Sequence, residues 1–77
     1  MISTADTTRT LIADHLGFDA VTDDQHLVND LALDSLDRVD LSLTLEQEFD
    51  IKLDDEDTAG WQTVGDAVKT VERLADA

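Results

Sequence analysis

The stretch Asp34-Ser35-Leu36-Asp37-Arg38-Val39-Asp40-Leu41-Ser42-Leu43-Thr44-Leu45-Glu46-Gln47-Glu48-Phe49 decides the fold. Asp34 belongs to the residue types favoured at a helix N-cap, and Asp37, three positions on, sets a second carboxylate at the positive end of the helix. This predicts a helix that begins at Asp34 or Ser35 and ends near Phe49. At about 100° per residue, Leu36, Val39, Leu41, Leu43, Leu45 and Phe49 spread over a wide arc, while Asp37, Asp40, Thr44, Gln47 and Glu48 crowd the remaining strip. So narrow a polar strip predicts a helix central to the core that exposes one acidic ridge.

The apolar clusters on either side also fall at helical rather than alternating spacing, and no repeat or Gly/Ser linker divides the chain, so it reads as all-α. Toward the N-terminus a helix is expected from about Thr4 to Leu16, with Leu11, Ile12 and Leu16 as its buried stripe and Gly17 as its terminator. Its first half is polar and is expected to fray. Residues 18–33 lack a periodic pattern but carry Phe18, Val21, Leu27, Val28, Leu31 and Leu33 at intervals, so this long first loop is expected to be anchored by its own side chains.

Beyond Phe49, Ile51 and Leu53 return to the core, and Asp54-Asp55-Glu56-Asp57 suit the first turn of a short helix ended by Gly60. Trp61 supplies the largest apolar side chain. Thr63, with Asp66 three residues later, caps a last helix whose stripe is Val64, Ala67, Val68, Val71, Leu74 and Ala75. Gly65 inside it costs about 1 kcal/mol relative to alanine. The expected architecture is a small four-helix bundle, three longer helices and one short one, in a single domain over residues 1–77.

The chain is strongly acidic: 19 acids stand against 5 lysines and arginines for a formal charge of −14, and residues 20–57 alone, with 13 acids and 2 bases, carry −11 of it. Such a surface repels phosphate backbones and anionic headgroups, which speaks against nucleic acid and acidic membranes and for a basic protein partner. Self-repulsion favours a monomer. The start Met1-Ile2-Ser3-Thr4 has neither a cationic segment nor an apolar run, so the cytoplasm is the default location and no membrane insertion is expected. Without cysteine the chain has no disulfide, thiolate zinc site or cysteine nucleophile, and any thiol chemistry needs an added group.

The acid clusters fail the EF-hand register, which wants glycine at the sixth position and glutamate at the twelfth. From Asp50 these are Asp55 and Trp61, and from Asp54 they are Ala59 and Gly65, so no specific metal site is expected, and Asp54, Asp55, Glu56 and Asp57 offer at most a weak, nonspecific cation site. His15 and His26 are the only histidines available as bases, and neither sits in a nucleophile–base pattern. Ser35 stands out instead. Just inside a helix N-terminus, unpaired N–H groups and the helix dipole favour a phosphate, although Asp34 and Asp37 oppose one.

Together, Leu31-Ala32-Leu33-Asp34-Ser35-Leu36-Asp37, Val39-Asp40-Leu41, Leu45-Glu46-Gln47-Glu48-Phe49-Asp50-Ile51 and Thr63-Val64-Gly65-Asp66-Ala67-Val68 closely resemble the acyl carrier protein family, over about Leu11 to Leu74. The resemblance implies a non-catalytic carrier. Ser35 would receive 4′-phosphopantetheine from coenzyme A through a phosphopantetheinyl transferase, and acyl intermediates would ride on the arm as thioesters. It further implies that Asp34, Asp37, Asp40, Glu46, Glu48, Asp55 and Glu56 meet basic docking patches on acyltransferases, ketosynthases, reductases or ligases. Leu36 would be the apolar contact beside the serine. The positions matching an acyl pocket are Leu27, Val39, Leu45, Phe49, Leu53, Trp61 and Ala67.

Three departures stand out: Ala32 where many relatives have glycine, Asp54 where proline often begins the third helix, and Trp61 in place of a smaller aliphatic residue. A tryptophan takes up space an acyl chain would occupy. These differences favour a specialised polyketide or secondary-metabolite carrier over a housekeeping fatty acid carrier. Trp61-Gln62-Thr63 resembles D-alanyl carriers, so an aminoacyl or peptidyl carrier is the alternative. An unmodified acidic adaptor binding a basic partner through the second helix is the rival from another class.

Overall fold

The computed structural model describes residues 3–76; Met1 and Ile2, half of the N-terminal stretch read above for a leader, lie outside the described residues, as does Ala77. Four helices follow in order: α1 Thr4–Leu16, α2 Ser35–Phe49, α3 Asp55–Ala59 and α4 Val64–Ala75. The described residues contain no strand, only an isolated bridge between His26 and Thr63. The fold is the expected all-α bundle. Among the described residues no helix is long and apolar enough to cross a membrane.

Each boundary has a local cause. Ser3 caps α1 by accepting from the Asp6 N–H, and Gly17 ends it at φ 81°, a left-handed conformation that glycine adopts without steric cost. Thr63 caps α4 by accepting from the Asp66 N–H, while the Asp66 carboxylate takes the N–H groups of Gln62 and Thr63 at 3.0 Å each. Those donors stabilise the ionised form and hold the Asp66 carboxyl below its usual range. Gly65 lies close against the loop: a Cβ there would meet the Asp23 backbone oxygen at 3.2 Å and Asp23 Cβ at 3.3 Å, tighter than ordinary contact. The helix penalty of this glycine thus permits the close approach in which its N–H donates to that oxygen.

Ile12, Leu27, Leu41, Leu45, Val64, Ala67 and Val71 are fully buried, and Trp61 is nearly so, its indole N–H donating to Thr70 at 3.0 Å. At about 25 cal/mol per Å² of apolar surface, each large side chain among them contributes roughly 1.5–3 kcal/mol. Val21, Leu27, Leu31 and Leu33 drive the long loop into this core. Two backbone bonds, Leu27 N–H to Gln62 and Val64 N–H to Gln25, then tie it to the start of α4.

Two details differ from the sequence expectation. The first half of α1 is pinned rather than frayed. Thr8 is fully buried because its hydroxyl donates to the Thr4 carbonyl at 2.7 Å, and Arg9 bridges Asp6 and Asp23. The second concerns α2, in which only Leu41 and Leu45 are buried, while Leu36, Val39 and Leu43 stay at least half exposed. The reason is α3, which is five residues long, buries no side chain and leaves one flank of α2 uncovered.

Candidate functional site

Asp34, in extended backbone conformation, accepts the Asp37 N–H at 2.8 Å, and the Asp37 carboxylate reaches back toward the Asp34 N–H at 3.5 Å. The box satisfies one donor of the first helical turn through the 2.8 Å bond and contributes about 1 kcal/mol, while the 3.5 Å return contact lies beyond the usual range for N–H···O. It also turns both carboxylates onto the backbone. Ser35, the first helical residue, is exposed, and the hydrogen bonds at this end of α2 leave its hydroxyl unengaged among the described residues. Its own N–H and that of Leu36 belong to the unpaired first turn.

The loop reaches Ser35 under strain. Ala32 sits at φ 59°, in the left-handed region, held by its N–H donating to Val28 and by the Leu33 N–H donating to Leu27. The conformation buries Leu31 and Leu33 on either side of it and delivers Asp34 to the helix start.

A solvent-open groove of about 670 Å³ begins at Ser35 and runs between α2 and α3. Arg38, Val39, Ser42, Leu43 and Glu46 form its α2 wall, Val28 and Leu33 its loop end, and Leu53, Asp55, Thr58 and Ala59 its far side. Of the apolar positions matched to an acyl pocket, Val39 and Leu53 line this groove. Leu27, Leu45, Trp61 and Ala67 lie in the closed core, and Phe49 packs against that core. Sequence reasoning missed Arg38, Ser42 and Thr58. The signal that could have found the first two was their spacing from Ser35: positions 38, 39, 42 and 46 repeat along one face of α2.

The acids proposed for recognition divide into two groups. Asp40, Glu48, Asp55 and Glu56 are exposed. Asp34 and Asp37 serve the cap, and Glu46 accepts the Leu53 N–H at 2.8 Å, which fixes the segment after α2. Interleaved with the exposed acids are Leu36 at 76%, Val39 at 58% and Leu43 at 50% exposure, so the outer face of α2 is apolar as well as acidic. Among the described residues no group of His, Asp or Glu converges as a metal site.

The residues bring together an exposed hydroxyl on a helix start and a groove beside it. The family model for the phosphopantetheine attachment site matches residues 6–71. One solved structure the chain resembles, a Mycobacterium tuberculosis protein (Rv0033) described as an acyl carrier protein, shares 35% sequence identity. The match covers 92% of this chain and 97% of that one with a TM-score of 0.87. The chain belongs to the acyl carrier protein family and is a non-catalytic carrier of a covalent 4′-phosphopantetheine group.

Proposed function

We propose that Ser35 is the attachment residue and that the loaded chain carries intermediates of a polyketide or related secondary pathway rather than of fatty acid synthesis. The observation that carries the first half is the exposed, unengaged Ser35 hydroxyl on the capped start of α2. The fit to the group is physical. A phosphodiester on Ser35 Oγ would be favoured by the unpaired N–H groups of Ser35 and Leu36, because the partial charge of a helix start attracts an anion. The arm supplies the thiol that this cysteine-free chain lacks, and with it thioester chemistry. Trp61 supports the second half. It is buried in one core cluster with Leu27, Leu45 and Ala67, and the space next to Ser35 is an open groove whose apolar wall is interrupted by Arg38, Ser42, Glu46 and Asp55.

The chain's own contribution is presentation. Asp40, Glu48, Asp55 and Glu56 offer charge to basic patches on a phosphopantetheinyl transferase and then on acyltransferases, ketosynthases, reductases or ligases. Leu36, Val39 and Leu43 add a small apolar contact. Steering by charge gives fast capture, and a small apolar patch gives fast release, which suits a surface that several enzymes read in turn. Incubation with coenzyme A, magnesium and a broad-specificity transferase tests the assignment. The mass rises by one phosphopantetheine in the wild type and stays constant in Ser35→Ala; a folded wild type that gains nothing refutes it.

A further inference from the structure

Arg38 is the groove residue that attachment and docking leave without a role. It is the only cation in α2, half-buried, three residues past Ser35 and on the wall facing α3. In a chain with 19 carboxylates, partners are abundant, yet the ion pairs among the described residues belong to Arg9 and Arg73. Its one hydrogen bond there, from Nη1 to the Thr58 carbonyl, is 3.4 Å long, beyond the usual range for N–H···O. A guanidinium has five N–H donors in a fixed fork. The remaining donors therefore stand in a partly desolvated groove without a protein acceptor among the described residues.

Granted the carrier reading, on which this inference rests, the geometry points to the class of cargo: the groove takes a neutral acyl chain bearing carbonyl oxygens, and Arg38 donates to those oxygens. A tether from Ser35 that doubles back enters this groove, because Ser35 is part of its rim. Val39, Leu53 and Ala59 offer apolar wall for the intervening carbons, and Ser42 adds a hydroxyl, although its own proton is committed to the Arg38 carbonyl at 2.7 Å. A saturated chain in the same place would cover the Arg38 donors and leave them unsatisfied, which disfavours it. An anionic chain would meet Arg38 but also the carboxylates of Glu46 and Asp55 on the same walls, in a molecule of charge −14.

The test compares matched cargoes on the intact chain. Octanoyl, 3-oxooctanoyl and malonyl groups are attached to Ser35 through amide-linked coenzyme A analogues, so that nothing hydrolyses, and intact mass confirms loading. Two-dimensional NMR then follows the Arg38 side-chain Nε–H and the backbone amides of Val39, Leu53 and Thr58 against the unacylated holo form. The expected result is a shift of all four signals with the 3-oxo chain, little or none with octanoyl and malonyl, and loss of the 3-oxo shifts at Val39, Leu53 and Thr58 in Arg38→Met. Arg38→Gln, which keeps a neutral donor, is expected to retain part of them and serves if the methionine variant is poorly folded.

Equal shifts for octanoyl and 3-oxooctanoyl, a preference for malonyl, no shift with any cargo, or a 3-oxo response undiminished in Arg38→Met, or in Arg38→Gln where the methionine variant does not fold, each overturn the proposal. Failure to load at all overturns the carrier assignment instead, so the two failures are distinguishable.

Discussion

Replacing Ala32 by glycine is expected to stabilise the protein, against the usual direction of alanine-to-glycine changes. Ala32 is held at φ 59°, where an L-residue with a Cβ is less favourable by about 1–2 kcal/mol. Glycine removes that term, while the added freedom of the unfolded chain takes back about 0.4–1 kcal/mol. The residue is exposed, so little buried area is lost with the methyl group, and the backbone bonds from Ala32 to Val28 and from Leu33 to Leu27 do not depend on the side chain. The net gain is roughly 0.5–1 kcal/mol, which for a chain of this size raises Tm by about 2–8 °C. Gly17, at φ 81° with nothing within 4 Å of the place a Cβ would take, provides the reciprocal case: Gly17→Ala adds the same strain without a clash and is expected to lower Tm. Urea titration monitored by circular dichroism gives both free energies, and Trp61, buried against Thr70, gives an independent fluorescence probe. Unchanged or reduced stability in Ala32→Gly would refute the strained geometry of the loop that delivers Ser35.

Reversing charge with Asp40→Lys and Glu48→Lys is expected to slow modification by the transferase at low salt and to change stability by no more than about 1 kcal/mol per exposed charge, measured by timed mass spectrometry alongside circular dichroism. The Asp66 carboxyl is held low by the N–H groups of Thr63 and Gln62, and the Asp23 carboxyl by its hydrogen bonds from Arg9. Because their folded pKa values lie below the unfolded ones, both stabilise fully above the unfolded value of about 3.9 and lose that contribution as pH falls through the folded value. The stability gap between wild type and Asp66→Asn is therefore widest near neutral pH and closes in strong acid, and a gap independent of pH contradicts the assignment. At about 0.01 M salt the Debye length, about 30 Å, is as large as the 30 × 29 × 18 Å molecule. At about 0.15 M it falls to about 8 Å, so Tm is expected to rise with salt by several degrees as the −14 charge is screened.

Helix ends were legible because they are local chemistry. Asp34 with Asp37, Thr63 with Asp66, and Gly17 each place a donor, an acceptor or a left-handed residue where the backbone needs it, and the structure uses all five. Ser35 was legible for the same reason, since its position relative to a cap sets its exposure. The partition of apolar residues between core and groove was not. The arc of apolar side chains on α2 implied burial everywhere but one acidic ridge, but burial depends on what covers a face, and α3 is too short to cover the flank holding Val39 and Leu43. In the same way, the polar start of α1 gave no sign that Thr8 would satisfy its hydroxyl within the helix and enter the core. Arg38 looked like one cation among acids, and only the fold places it beside Thr58, twenty residues away.

The carrier reading stands on one side chain, Ser35, bearing the arm. Peptide-level mass spectrometry of the wild-type chain after reaction with coenzyme A and a transferase tests it, because Ser3, Ser42 and the threonines offer competing hydroxyls on the same molecule. Phosphopantetheine is expected on the peptide containing Ser35, with fragmentation assigning it to that oxygen and the other hydroxyls bare. An arm found on any other residue, or none on Ser35 in folded protein, contradicts the assignment.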